Sequence, residues 1–145
     1  MAEYDFSTLG SSDFEKLVCD LLNASQSSEN SITYKLFKDG KDKGIDFLYS
    51  TPNMQYNHVG QAKHYYRTGY KGLKTHLTDK EVSKVKALNP KKYILATSVD
   101  LTVNQTIELK QVFKPYIKDL SDIYGKKNIN QLLDHHQDNF TKENY

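Results

Sequence analysis

The spacing of apolar residues changes along the chain, and each spacing predicts a different element. From residue 12 to residue 23 the large apolar side chains recur every three or four positions, which is the period of a helix buried on one face. Ser12-Asp13-Phe14-Glu15 fits a capping box, so we expect the helix to begin at Ser12 with Glu15 reaching back to the cap. It ends near Asn23, and residues 24–31, rich in Ser, Asn and Gln, predict a loop.

Three extended segments follow this loop. Their predicted bounds are about Thr33–Lys38, Ile45–Ser50 and Val59–Tyr65. The segment Asp39–Gly44 has the Gly and Asp content of a tight turn, and Thr51–Asn57, with its proline, predicts a second turn. The three strands are therefore expected to form an antiparallel meander.

The helical period returns after the third strand. It runs over Tyr70–Asn89, and Thr78-Asp79-Lys80-Glu81 fits a second capping box that would restart the helix after a bend. Tyr93–Ser98 is a short, nearly continuous apolar run, typical of an interior strand covered on both faces.

Two further helices are predicted near the carboxyl end. Thr102 is placed to cap a helix that stops near Pro115, and Asn128–His136 predicts a last short helix. The element order αβββαβα indicates an α/β protein, in which a mixed central sheet is flanked by helices.

Composition indicates a folded chain. Its 145 residues suit a single domain spanning 1–145, and eleven Tyr and six Phe supply bulk although only 37% of residues are hydrophobic. No stretch approaches the roughly 20 apolar residues of a membrane helix. The start, Met1–Phe6, carries Glu3 and Asp5 and does not resemble a signal peptide, so we expect a cytoplasmic protein without a membrane partner.

Positive charge is concentrated in the middle of the chain. Residues 35–92 hold thirteen Lys or Arg against five Asp or Glu, although the whole chain has a net charge of only +2. Such asymmetry is expected of a protein that binds a polyanion through this region, although a solvated lysine-rich surface gives the same count.

Three side chains in this region have the chemistry of a phosphodiesterase site. Gln61 and Lys63 lie two residues apart in a predicted strand and therefore on one face, and Asp46 lies in the preceding strand. Because paired strands are about 4.8 Å apart, a carboxylate, an amide and an ammonium can meet around one divalent ion and one phosphate.

These residues carry a resemblance to a known family. Phe14-Glu15, the segment from Asp39-Gly40 to Gly44-Ile45-Asp46, and Gln61-Ala62-Lys63 together resemble the Mrr-like nuclease domain of the restriction-endonuclease-like superfamily. More narrowly, the chain resembles the nuclease domain at the N-terminus of prokaryotic STAND anti-phage NTPases. The segments that fit this narrower pattern are Tyr4-Asp5-Phe6, Lys63-His64-Tyr65, Tyr93-Ile94-Leu95 and Asp122-Ile123-Tyr124-Gly125.

The resemblance implies a restriction-endonuclease-like αβββαβ core and a Mg²⁺-dependent endonuclease, with Mn²⁺ as a possible substitute. Asp46 corresponds to the principal metal ligand, Gln61 stands where the wider superfamily usually has Glu or Asp, and Lys63 corresponds to the catalytic lysine. Since a neutral amide removes one negative charge, Glu15 is expected either to compensate as a ligand or to serve only as a helix cap. The backbone carbonyl of Ala62 is a further expected metal contact.

The same resemblance implies double-stranded DNA as the substrate. Lys41, Lys43, His64 and Arg67 are expected to line the approach of the phosphate backbone. The chain would then be the N-terminal part of a larger defence protein, with STAND NTPase and sensor domains in the same polypeptide. Its activity would be controlled by formation of homo-oligomers.

Two other functions stay open at this point. A catalytically inactive nucleic-acid-binding or assembly module on the same fold is supported by the neutral Gln61. A Holliday-junction or repair nuclease would differ in its preference for branched DNA.

Overall fold

The strands lie in one sheet in the order in which they occur in the chain. The computed structural model describes residues 4–26, 32–40, 43–64 and 68–136. Within these ranges the sheet contains five strands. Their bounds are β1 Lys35–Gly40, β2 Ile45–Thr51, β3 Met54–Lys63, β4 Lys92–Thr97 and β5 Ile123–Tyr124.

The sheet is mixed, as the order of elements predicts. Strands β1, β2 and β3 pair antiparallel, whereas β3, β4 and β5 pair parallel. The parallel half follows from the helices that connect β3 to β4 and β4 to β5, because parallel neighbours require a crossover connection. The prediction of an α/β fold with an antiparallel meander and one further strand is confirmed, and β5 is an addition to it.

Helices cover both faces of the sheet. Their bounds are α1 Ser11–Ala24, α2 Gly69–His76, α3 Val82–Leu88, α4 Val103–Val112 and α5 Lys126–His135. Helices α1 and α5 share a buried cluster with Phe47, Ala62 and Ala96. Helices α2, α3 and α4 share another with Val59 and Leu95 on the opposite face. Strand β4 is buried throughout its last five residues, which confirms that it is interior.

The helix that connects β3 to β4 contains a π-helical segment. Residues Leu77–Glu81 form this segment between α2 and α3, and the backbone stays in the right-handed helical region at both junctions. The predicted second capping box at Thr78 is therefore wrong: the hydroxyl of Thr78 donates to the carbonyl of Lys74, one turn back, instead of capping a new helix. A π segment adds one residue to a helical turn, so it changes which side chains face the sheet.

Several predicted boundaries also move. Helix α1 begins at Ser11 with Gly10 as its N-cap and no side-chain cap, so the capping box of Ser12 and Glu15 is wrong. Strand β3 begins at Met54, because only Pro52 and Asn53 form the turn from β2. The predicted end of β3 at Tyr65 lies outside the described residues. By contrast, Thr102 caps α4 as predicted, and the structure adds a complete capping box with Gln105.

Candidate active site

Asp46 lies where β2 and β3 begin to separate. The ladder pairs Phe47 with Gly60, and the carboxylate of Asp46 accepts a hydrogen bond from the Ala62 amide at 2.8 Å. Asp46 is only 5% exposed. Its carboxylate is therefore held at the amide that lies between Gln61 and Lys63.

The amide of Gln61 is held at both ends by buried partners. The hydroxyl of Tyr93 donates to Gln61 Oε1 at 2.6 Å, and Gln61 Nε2 donates to Oε2 of Glu81 at 2.6 Å. Burial raises the pKa of Tyr93 well above its ordinary value, and the nearby carboxylates of Glu81 and Asp46 raise it further, so the phenol stays a donor. Both carboxylates therefore lie near the hydrogen bond between Tyr93 and Gln61.

Glu81 is the buried centre of a polar cluster that was not predicted from the sequence. Three nitrogens surround its Oε1: Nζ of Lys84 at 3.3 Å, Nζ of Lys63 at 3.6 Å and Nε2 of His76 at 3.7 Å. Burial raises the pKa of Glu81, but the hydrogen bond from Gln61 and the charges of Lys63 and Lys84 outweigh it and hold the pKa below its ordinary value. Glu81 is therefore a buried anion at neutral pH.

Lys63 lies between Glu81 and His76. Its Nζ is 3.3 Å from Nε2 of His76, and because an ammonium is only a donor, this nitrogen must be the acceptor. Burial and the charge of Lys63 both lower the pKa of His76, which favours the neutral ring that this contact requires. The ammonium of Lys63 is thus oriented by two groups of the helix that crosses this face.

The structure brings together three of the four predicted catalytic residues. Asp46, Gln61 and Lys63 meet at adjacent positions of β2 and β3. Glu15 instead belongs to α1, which packs on the opposite face of the sheet. The acid that contacts Gln61 is Glu81, and the role of Glu15 as a further metal ligand stays a prediction.

Glu81 was missed because its position depends on contacts distant in sequence. Thr78 and Glu81 have the spacing of a capping box, and the pattern gives no sign of the π segment. The only available signal was the helical period, in which Leu77 and Glu81 share a face at a spacing of four residues.

Of the four predicted DNA contacts, two lie within the described residues. His64 stacks on Phe14 at 4.9 Å between ring centroids, and its ring nitrogens contact Ser98 Oγ at 2.8 Å and the Leu9 carbonyl at 2.9 Å. It therefore joins the end of β3 to the segment around α1, and its contact with DNA stays a prediction. Lys43 is exposed, with its ammonium 5.8 Å from the ring centroid of Tyr56. Lys41 and Arg67 lie outside the described residues.

The fit of a divalent ion depends on Asp46. Within the described residues no group of three or more His, Cys, Asp or Glu side chains is arranged to hold a metal. Magnesium, however, needs only one or two carboxylates, because water and a substrate phosphate complete its shell. The carboxylate of Asp46 fits this requirement, whereas the amide oxygen of Gln61 already accepts from Tyr93.

Comparison with known proteins identifies a longer relative. The chain is 37% identical over 131 residues to the uncharacterized protein y4cD of Sinorhizobium fredii. The match covers 90% of this chain and 19% of that protein, so the chain spans about a fifth of the length of this relative. No family model and no solved structure matches the chain. In the described part of the chain, no helix has both the length and the apolar character needed to cross a membrane.

Proposed function

We propose that the chain is a metal-dependent DNA endonuclease domain that hydrolyses phosphodiester bonds. The observation that carries the proposal is the convergence of Asp46, Gln61 and Lys63 where β2 and β3 separate. An oxygen donor for a hard cation and an ammonium for a phosphate oxygen then lie on neighbouring strands, and this arrangement suits water attack on a phosphodiester. We infer a restriction-endonuclease-like fold for the same reason, because the Mrr-type resemblance rests on these residues.

Each residue has a distinct role in this proposal. Asp46 would hold Mg²⁺ or Mn²⁺, and a bound ion would neutralise charge on the phosphate and lower the pKa of a coordinated water. Lys63 orients the attacking water and stabilises charge on the phosphoryl oxygens. Gln61 fixes the geometry between them through its bonds to Tyr93 and Glu81, and the carbonyl of Ala62 is an additional candidate ligand.

The biological setting is part of the proposal. The positive charge of residues 35–92 supports binding of double-stranded DNA in the cytoplasm. The longer Sinorhizobium relative supports a nuclease module within a larger polypeptide. We infer that the module acts as the effector of a prokaryotic anti-phage protein with STAND NTPase and sensor domains, and that assembly of several copies controls it.

A test of the proposal compares four proteins on supercoiled plasmid. Wild type should nick the plasmid with Mg²⁺ or Mn²⁺ and not with EDTA. Asp46→Asn and Lys63→Met should lower the rate by about 100-fold or more, because each removes a group that acts on the transition state. Lys86→Met, an exposed lysine of α3, is the matched control and should cleave like wild type.

A catalytically inactive DNA-binding module is the second candidate. The engagement of both Gln61 amide atoms by protein groups favours it, because such an amide is poorly placed to coordinate a metal. Salt-sensitive DNA binding without cleavage under either metal, at protein concentrations that permit assembly, would support this module and would refute the endonuclease.

A further inference from the structure

We propose that Lys84 and Lys63 form a binding site for one phosphate of the DNA backbone, with the carboxylate of Glu81 buried beneath their ammonium groups. This inference rests on the proposed function, because it names how the same site holds its substrate. Lys84 is not among the residues that the family resemblance marks. Lys84 is assigned to the site by its geometry, since its ammonium and that of Lys63 lie at 3.3 Å and 3.6 Å from one oxygen of Glu81.

The cluster is layered by depth. The side chain of Glu81 is only 3% exposed, whereas those of Lys63 and Lys84 are 19% and 30% exposed. The carboxylate therefore lies beneath two ammonium groups that reach solvent. An anion that approaches this face meets the cations first and does not meet Glu81 directly.

The charges around Glu81 leave an excess of positive charge. Among the described residues two ammonium groups face this one carboxylate, and burial, followed by the charge of Lys63, lowers the pKa of His76 and favours its neutral ring. The single negative charge of a phosphodiester complements these two ammonium groups beside one carboxylate.

The donors of the two lysines also suit a phosphate. Each ammonium has three N–H groups. In each lysine Glu81 is one neighbour of the ammonium, and the partly exposed side chain leaves room for a ligand oxygen. The two nonbridging oxygens of a phosphodiester are arranged to accept from two adjacent ammonium groups. The buried carboxylate restrains both lysines before DNA arrives, which reduces the entropy lost on binding.

The π segment explains how a helix supplies this second lysine. Glu81 is the last residue of the segment and Lys84 lies three positions later, so the two side chains lie on the same face of the helix. The extra residue of the π segment changes the rotation of α3 relative to α2. Leu77 and Val85 pack in the core, whereas Glu81 contacts Gln61 of β3 and the side chain of Lys84 lies beside Gly44, just before β2.

The test measures DNA binding in EDTA, so that its outcome does not depend on cleavage. The probe is a short fluorescent duplex titrated with the whole chain at several salt concentrations. Loss of one phosphate contact should reduce the slope of log affinity against log salt by about one. We expect this change for Lys84→Gln, with affinity lowered several-fold at low salt, and a slope close to wild type for Lys84→Arg, which keeps the charge.

The matched control is Lys86→Gln, which removes the same charge from the exposed side of the same helix. Thermal unfolding of each variant identifies any loss of folding, and the Lys84→Arg variant keeps the test valid if Lys84→Gln is unstable. Equal slopes for Lys84→Gln and Lys86→Gln would overturn the inference and leave the endonuclease proposal standing. Failure of wild type to bind DNA at low salt would overturn both.

Discussion

At the scale of single residues, the hydrogen bond between Gln61 and Glu81 ties β3 to the helix above it. The bond is short at 2.6 Å, and both side chains are buried. The Tyr93 hydroxyl donates a second hydrogen bond, to the amide oxygen of Gln61. A neutral residue at position 61 is therefore matched to an ionised residue at position 81. The neutral residue at position 61 thus has a structural reason in this chain.

This pairing of a neutral Gln61 with an ionised Glu81 predicts the effect of exchanging the two residue types. Gln61→Glu should destabilise the fold by about 1–3 kcal/mol at neutral pH, since two buried carboxylates would then face each other without a donor. The loss should shrink as the pH falls, because protonation of either carboxyl restores a donor. The double variant Gln61→Glu with Glu81→Gln should recover part of the loss, as measured by chemical denaturation.

The double variant serves as the control for this experiment, because it has the same composition as wild type. Equal stability of Gln61→Glu and wild type would show that the hydrogen bond between Gln61 and Glu81 contributes little to the free energy of unfolding. A double variant that is no more stable than the single ones would show that the two residues act independently.

A second prediction at this scale concerns pH and His58. Burial, and then the charge of Lys92, lower the pKa of His58 to about 4, while its ring contacts the Tyr34 hydroxyl at 3.1 Å. Because the unfolded state binds the proton near pH 6.5 and the folded state does not, stability is full above pH 6.5 and is lost as the pH falls toward 4.

The loss should reach up to about 3 kcal/mol over this range. Denaturation of wild type and His58→Gln at pH 7 and pH 4.5 measures it, since the variant lacks the titrating group. An unchanged difference in stability between the two proteins at both pH values would contradict the prediction.

At the scale of elements, the absence of a side chain at Gly60 lets β3 lie close to the ring of Phe47 in β2. A Cβ atom at Gly60 would lie 1.8 Å from the ring of Phe47, its cross-strand partner, which is fully buried. Phe47 therefore covers Gly60 directly. Because Asp46 is next to Phe47 and Gln61 is next to Gly60, this contact also sets the separation of the two site strands.

Gly60→Ala should consequently destabilise the protein by about 1–3 kcal/mol, because the ring of Phe47 has to move within a packed core. The control is Gly10→Ala, where nothing lies within 4 Å of the added atom. Thermal denaturation of both variants checks the prediction. A Gly60→Ala protein as stable as the Gly10→Ala protein would mean that the strands are not in close contact there.

Elements were predictable where the determining contacts are local. Thr102 was predicted as the N-cap of α4 because its capping contact lies within three residues, and β4 was predicted because its apolar run is continuous. Strand β5 was missed since two residues have no period, and it exists only through pairing with Leu95 and Ala96. The π segment was missed because the apolar spacing of the sequence gives no sign of it.

The candidate site followed the same rule. The pairing of Asp46 with the segment around Gln61 was predictable from strand order and the period of two. Glu81 and His76 were not, because their contacts with Gln61 and Lys63 join β3 to a helix 20 and 13 residues later in the chain, and Lys84 depends on the same helix. The role of Glu15 was predicted from local spacing, and its helix, α1, packs on the opposite face of the sheet.

At the scale of the whole molecule, the two faces of the sheet differ in the kinds of residue that they bury. The face under α1 and α5 is closed by an apolar cluster, whereas the face under α2, α3 and α4 combines an apolar cluster with the buried polar groups Asp46, Gln61 and Glu81. The lysine-rich segment of the sequence supplies that second face. Charge, burial and topology therefore coincide on the side of the molecule where we propose that DNA binds.

The rate of plasmid nicking as a function of Mg²⁺ concentration tests this account most directly. Wild type should show a rate that rises with Mg²⁺ to saturation and falls to background in EDTA, and Asp46→Asn should stay near background at every concentration. Nicking that persists in EDTA, or that is equal in wild type and Asp46→Asn, would contradict the account.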